Sequence, residues 1–278
     1  MIIEISIKKI EKMINDNPDF YLERLVIGWF DGLHAGHLRL FNDNLANTSV
    51  ITFINHPTKK QNALYTDEER IEQLISIGIK DVYVYDLKQN LTGEEFATKI
   101  LQKLNPKLVV VGENFIFGSD KKDVKFLSNY TKVETIQKYM NYSSSHIREL
   151  ILAGSFEEAN DMLVWPYHRK GYVEHGKGNG EQLGTKTANI EINNSLIKIP
   201  DGVYATKSKL IDNYKYKSVT FIGVPKTIDK NSKPRIETNL LDYNDNNFYD
   251  EEITIYFYKK IDKIRKFFFK SSLIRHIN

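Results

Sequence analysis

The sequence predicts an α/β chain of two parts: an N-terminal doubly wound parallel-sheet domain over residues 1–165, and a C-terminal antiparallel six-stranded β-barrel with a terminal helix over residues 166–278. Three observations predict it. Strand-like and helix-like segments alternate through the first half, the signature of a parallel sheet covered by helices. After Trp165 and Pro166 that texture gives way to short period-2 segments joined by turns. At 278 residues, the chain is long enough for two domains, each with its own core.

Arg24 to Gly28 (RLVIG) and Ser49 to Ile54 (SVITFI) are β-branched runs. Between them, from Gly36 to Ala46, Leu38, Phe41 and Leu45 fall at helical spacing, which makes a βαβ unit. Thr66 with Glu69 forms a capping box opening a helix that Gly78 can close, and Asp81 to Tyr85 follows as a strand. Thr92 with Glu95 caps a further helix, Pro106 ends it, and Leu108 to Gly112 (LVVVG) reads as a strand buried on both faces. Ligands of such a sheet bind beyond the carboxyl ends of its strands. In the second half, Gly202 to Leu210, Lys217 to Ile222 and Ile253 to Tyr258 alternate as barrel strands do, and Lys270 to Ile277 closes as a helix.

Composition narrows the function. With 41% hydrophobic and 27% charged residues the chain is globular rather than disordered. The lack of cysteine excludes a disulfide scaffold, a thiolate metal site and a cysteine nucleophile, so any metal would sit on oxygen or imidazole. Glu4 interrupts the N-terminal apolar residues, and no apolar run reaches the length of a membrane span, so a cytoplasmic protein without a membrane partner is expected. Lysines are scattered and the net charge is +3, which favours small anionic substrates over nucleic acid and marks no protein partner.

The richest stretch runs from Gly28 to His37, where strand gives way to helix. Gly28, Gly32 and Gly36 let backbone approach a ligand, and the helix start favours an anion. His34 and His37 can donate hydrogen bonds to oxygens that gain charge when the bond between the α- and β-phosphates of a nucleotide breaks. A bare H-x-x-H pair is more often two surface residues; the flanking strand, helix and glycines favour the phosphate site. Zinc is the weaker rival, since no third ligand clusters nearby. Ser144 and Ser145 open a helix running to Gly154, where their hydroxyls and the Arg148 fork can meet phosphate or can simply cap the helix and face solvent. Asn114 and Phe115 follow a buried strand and fit a ligand-facing loop, although Phe115 and Phe117 equally fit a core. His56 and Pro57 sit at another strand end, structural or substrate-positioning rather than basic.

These segments resemble a known family. Phe30-Asp31-Gly-Leu-His-Ala-Gly-His37 is similar to the F-D-G-x-H-x-G-H motif of bacterial FAD synthetases, the bifunctional riboflavin kinase/FMN adenylyltransferases. Thr52 to Pro57 resembles its T-F-x-x-H-P, Val111 to Gly118 its V-G-x-[DN]-F-x-F-G, and Ser143 to Arg148 its S-S-T-x-I-R. The resemblance implies a nucleotidyltransferase domain in which the phosphate of FMN attacks the α-phosphorus of ATP, with Mg²⁺ carrying part of the charge and His34, His37 and Arg148 acting on the transition state. Gly28, Phe30, Asp31, Gly36, Asn114, Ser144 and Ser145 would then bind ATP.

The C-terminal part resembles the riboflavin kinase module of the same family. Gly184 to Asn189 is similar to its L-G-[FW]-P-T-A-N, Asp201 to Ala205 to its G-V-Y-A, and Arg235 to Asp242 to its R-T-x-E-x-H-L-L-D. The resemblance implies that Thr187 and Asn189 hold Mg²⁺ and ATP phosphate, that Gly176 and Gly184 belong to a loop over the nucleotide, and that Glu237 accepts the proton of the riboflavin 5′-hydroxyl. The pattern also departs from the family. Lys186 replaces a proline, Phe221 stands in place of an asparagine, Asn239 replaces a histidine, and Asp262 stands where an arginine is common, a loss of charge that Lys186 and Arg265 could offset. Two rivals follow: an FMN adenylyltransferase with a degenerate kinase domain, and a non-catalytic flavin- or nucleotide-sensing protein. The intact histidine pair speaks against the second, since sensing needs no transition-state donors.

Overall fold

The computed structural model describes residues 1–42, 44–56, 62–139, 142–174, 187–224, 234–241, 243 and 248–262. Pro57, Gly176, Gly184, Lys186, Arg265 and the expected terminal helix lie outside the described residues. The chain divides into two compact units, Met1–Ser144 and Ser145–Asn278.

The first unit runs β1 (Ile2–Ile5), α1 (Ile7–Asp16), β2 (Arg24–Ile27), α2 (Ala35–Phe41), β3 (Thr48–Ile54), α3 (Asp67–Ser76) and β4 (Asp81–Asp86). It continues with α4 (Gly93–Phe96), a π-helical turn at Ala97–Leu101, α5 (Gln102–Leu104), β5 (Val109–Gly112), α6 (Val124–Leu127) and β6 (Val133–Ile136). All its strands pair in parallel, in the order β1-β4-β3-β2-β5-β6. From β2 the chain moves one way through β3 to β4 and later returns to β5 on the other side. The crevice between the ends of β2 and β5 is therefore the topological switch point, where such sheets bind ligands.

Local chemistry accounts for the elements. Both expected capping boxes form: Thr66 and Glu69 exchange side-chain and backbone bonds at the start of α3, and Thr92 and Glu95 do so at α4. Gly78 follows α3 at φ +100°, the left-handed position glycine takes after a helix. The strands alternate. Leu25, Ile27, Ile51, Val109 and Val111 join Ile10, Phe96, Ile100 and Leu104 in one buried cluster, while α2 and α3 contact β5, β3 and β4. The helix expected from Gly36 to Ala46 is shorter: it ends at Phe41, because Asn42 takes the left-handed conformation, and a 3₁₀ turn covers Leu45–Asn47. Sequence reading passed over β1, α1 and β6, whose patterns are short and flank more conspicuous segments.

The second unit holds α7 from Ser145 onward (helix Ser144–Ala153), α8 (Phe156–Met162), β7 (His168–Tyr172), β8 (Thr187–Ile190), β9 (Gly202–Lys209), β10 (Lys215–Gly223), β11 (Arg235–Leu240) and β12 (Glu252–Asp262). Its six strands form an antiparallel sheet in the order β7-β12-β9-β10-β11-β8, and Glu174 just past β7 bridges Asn189 of β8, so the two ends of the order meet. That return curls the sheet into a barrel. Phe156 of α8 is fully buried against Tyr167, Tyr204 and Phe257, and Asn160 donates to the Phe257 carbonyl at 2.8 Å and accepts from the Tyr167 N–H at 2.8 Å. Helix α8 is thus part of the second unit's core.

A polar seam runs inside this sheet. Ser208, Ser218, Thr206, Thr220 and Thr238 are buried, and their hydroxyls contact one another in that order, each at 2.8 Å, across β9, β10 and β11.

Candidate active sites

Beyond the ends of β2, β5 and β6 the first unit carries a cavity of about 440 Å³, within the range of small-molecule sites. Gly28, Phe30, His34, Gly36, His37, Asn114 and Ser144 line it, together with Gly112, Glu113, Tyr139, Tyr142 and Ser143. Most of the residues singled out in the first half thus converge on one space.

The histidine pair is built by the helix start. His34 is the extended N-cap of α2, and its Nδ1 accepts the His37 backbone N–H at 3.3 Å. Because Nδ1 accepts, the neutral ring carries its hydrogen on Nε2. The His34 and His37 rings stack at 3.7 Å with 16° between planes, and Phe30 meets His37 edge-on at 5.3 Å. Burial pushes the His34 pKa down to about 4, so this imidazole is a neutral hydrogen-bond donor at neutral pH. Phe30 holds the turn at φ +55°, a conformation uncommon for an aromatic residue. A Cβ at Gly28 would lie 2.7 Å from the Phe30 ring, and one at Gly36 would lie 3.0 Å from the His34 ring. Gly28 therefore leaves the room that the Phe30 ring occupies, and a side chain at Gly36 would crowd the His34 ring.

Other expected residues serve the frame. The buried carboxylate of Asp31 accepts the Leu64 N–H at 2.9 Å and the Tyr65 N–H at 3.3 Å, bracing the turn rather than lining the cavity. His56 packs edge-on against Trp29 at 4.9 Å, likewise outside the lining. Behind Trp29 sits Arg70, fully buried, which sequence reading did not single out. It donates to the Trp29 carbonyl, to Thr52 Oγ1 at 3.2 Å, to the Phe53 carbonyl at 2.8 Å and to Asp67 at 2.5 Å, with its guanidinium 4.0 Å from the Trp29 ring. A buried cation with that many acceptors locks the ends of β2 and β3 together. Helix α7 starts at Ser144 on the cavity wall; further along it, Arg148 Nη1 approaches Ser145 Oγ at 3.5 Å.

The barrel presents a second constellation, made by register. Glu237 pairs with Asn189 and Asn239 with Thr187 across β11 and β8, so these side chains share one face of the strand pair. Arg235, two residues before Glu237, forms an ion pair with it at 2.7 Å. Asn189 is buried, and its Oδ1 has no hydrogen-bond partner among the described residues. An oxygen acceptor left open beside a hydroxyl suits a hard cation such as Mg²⁺. Among the described residues no three His, Asp or Glu side chains cluster as a metal site, and no helix is long and apolar enough to cross a membrane.

A cavity lined by imidazoles, glycines and hydroxyls at the switch point of a parallel sheet, joined in one chain to a barrel bearing a carboxylate, an amide and a hydroxyl on one face, fits a nucleotide-dependent transferase. A family model described as FAD synthetase matches residues 20–149, and one described as riboflavin kinase matches residues 163–278. The bifunctional riboflavin kinase/FMN adenylyltransferase of Bacillus subtilis is 32% identical over 271 residues, covering 87% of this chain and 85% of that protein. A trifunctional protein RibF/MnmA of Mycoplasmoides gallisepticum is 35% identical over 96% of this chain, which spans 39% of that longer protein. A crystal structure described as a macrolide-efflux protein from Streptococcus pneumoniae superposes with a TM-score of 0.78 at 27% identity, covering 99% of this chain and 96% of that one. The chain belongs to the family of bifunctional riboflavin kinase/FMN adenylyltransferases and carries both of its catalytic domains.

Proposed function

We propose that residues 1–165 adenylylate FMN with ATP, releasing pyrophosphate, and that residues 166–278 phosphorylate riboflavin to FMN. The observation that carries the first assignment is the stacked His34–His37 pair opening on the same cavity as Asn114 and Ser144. In this reading the FMN phosphate oxygen bonds to the α-phosphorus as the bond to the bridging oxygen breaks. His34, held neutral by burial, and His37 donate hydrogen bonds to the charge developing on departing pyrophosphate. Asn114, Ser144 and Ser145 hold phosphate oxygens, Arg148 supplies a fixed cation on α7, and Asp31, Gly28, Phe30 and Gly36 keep the turn in shape; His56 with Pro57 positions substrate.

For the kinase step, Glu237 takes the proton of the riboflavin 5′-hydroxyl as that oxygen bonds to the γ-phosphorus of ATP and the bond to the β–γ bridging oxygen breaks, releasing ADP, with Arg235 holding the carboxylate in place. Thr187 and Asn189 would hold Mg²⁺, and the open Asn189 Oδ1 supports that role. When bound, the ion would neutralise phosphate charge. Cytoplasm is the proposed location, where ATP is available. Incubating the purified protein with ATP, Mg²⁺ and either riboflavin or FMN, then separating products by chromatography, tests both assignments. FMN and FAD are expected from riboflavin, and FAD from FMN. If FAD forms from FMN but nothing forms from riboflavin, the kinase assignment fails and the one-step reading replaces it.

A further inference from the structure

The wall of the cavity between β6 and α7 carries an aromatic stack. Tyr139 and Tyr142 both line the cavity, with ring centroids 5.3 Å apart and 28° between planes. Arg39, two residues after His37 on α2, places its guanidinium 4.8 Å from the Tyr139 ring centroid. The helix that carries His37 therefore also grips the tyrosine stack. The same two segments also approach closely at Gly36, where a Cβ would lie 3.4 Å from the Tyr142 carbonyl oxygen. Tyr139 is 39% exposed despite its size, and with Tyr142 it adds an aromatic face to a cavity that the histidine pair, Phe30 and Phe115 line elsewhere.

We infer that Tyr139 and Tyr142 form the stacking wall for the adenine base of ATP, held in register with the histidine pair by Arg39. The inference rests on the adenylyl-transfer reading of this cavity. Both substrates of that reaction pair a phosphate with a planar ring, and the chemistry of the histidines decides between them. His34 and His37 act on the oxygen between the α- and β-phosphates, which belongs to ATP, so the ring that shares their cavity is the one joined to that α-phosphate. FMN need enter only with its phosphate. A volume of about 440 Å³ lies toward the small end for one ligand and leaves little room for a second ring system. Stacking on an aromatic face supplies affinity without selecting among bases, because every base has such a face. The tyrosines thus set affinity for the nucleotide, not the choice of purine.

The test uses the full chain and separates base from phosphate. Tyr142→Ala and Tyr139→Ala are expected to raise the KM for ATP by about tenfold or more, with kcat at saturating ATP and the KM for FMN little changed, as for lost uniform binding. Tyr142→Phe should behave as the parent, since the ring and not the hydroxyl acts. Tyr142→Leu, which keeps apolar bulk without a π face, should resemble the alanine variant and guards against a folding defect. Inorganic triphosphate, used as a competitive inhibitor, should bind the parent and the Tyr142→Leu variant alike. Parallel weakening of triphosphate and ATP would overturn the inference, since the tyrosines would then only shape the cavity. A raised KM for FMN with an unchanged KM for ATP would overturn it in favour of a flavin shelf. Absence of any adenylyl transfer by the parent protein would instead remove the underlying reading.

Discussion

In the N-terminal cavity one continuous stretch, Gly28 to His37, supplies the histidine pair, Phe30 and two of the lining glycines. On the barrel, Thr187, Asn189 and Glu237 become neighbours only through the pairing of β8 with β11. The first site is held by a local turn: a capped helix, a stacked ring pair and glycines that leave the rings room. The second is held by strand register, in which a slip by one residue would turn every group to the other face. A site built from a turn fails when one ring or glycine changes. A site built from register depends on the whole sheet beneath it.

The sharpest separation of the two is chemical. Glu237→Gln keeps size and hydrogen-bonding capacity while removing the base, so riboflavin phosphorylation should fall by about 10²- to 10⁴-fold with FMN adenylylation intact, read from separate assays on each substrate. The reciprocal variant, His37→Ala, should lower adenylyl-transfer turnover by on the order of a hundredfold, with ATP affinity much less affected and phosphorylation untouched. Loss of both activities in either variant would break the comparison.

A third variant sharpens it through stability. Phe156 lies outside the barrel strands yet is buried among Tyr167, Tyr204 and Phe257. Phe156→Ala should destabilise the second unit by about 3–5 kcal/mol. On heating, riboflavin phosphorylation should then be lost at lower temperature than in the parent, and adenylyl transfer should weaken with it to the extent that it depends on Ser145 and Arg148 of the same unit. An unchanged temperature for the loss of phosphorylation would show that the Phe156 cluster does not carry the stability of the barrel.

Acid affects both units by the same route and gives the smallest expected effect. Burial pushes His34 and His168 down to about 4, and the His168 ring is oriented by a hydrogen bond from Nδ1 to the Pro166 carbonyl at 3.0 Å. In the unfolded chain both titrate near the ordinary 6.5. Between those values the unfolded state binds the protons that the folded state refuses, so stability is full above about pH 6.5 and declines toward pH 4. Urea midpoints measured from pH 7 down to pH 4.5 should fall accordingly. His168→Asn, which can keep the bond to Pro166, should flatten the decline for the second unit and leave the first unchanged.

How much of this was legible in the sequence follows from the same contrast. Capping boxes, β-branched runs and the Gly28–His37 stretch are local signals, and the structure places most of the residues they single out around one cavity. Asp31 was legible as important but not as a brace, because its partners Leu64 and Tyr65 lie more than thirty residues away. Arg70 gave no signal: an arginine in a charged helix looks like a solvated one until β2 and β3 close over it. Tyr139 and Tyr142 stand between a short strand and a helix with no periodicity to mark them. The ion pair of Arg235 with Glu237 could have been found, since alternate residues of one strand share a face.

The hydroxyl seam inside the barrel can be read as a count of hydrogens. Ser208, Ser218, Thr206, Thr220 and Thr238 offer five hydrogens for four contacts, so if each donates to the next, one hydrogen is left over at whichever end the line points to. The line can run from Ser208 to Thr238 or back, and it reverses only if every hydroxyl turns. Capping it at Ser208 or Thr238 shortens one line; cutting it at Thr206 or Thr220 makes two, each with its own leftover hydrogen in a buried place. The interior of this sheet is therefore a one-dimensional chain with a direction, and its middle members matter more than its ends.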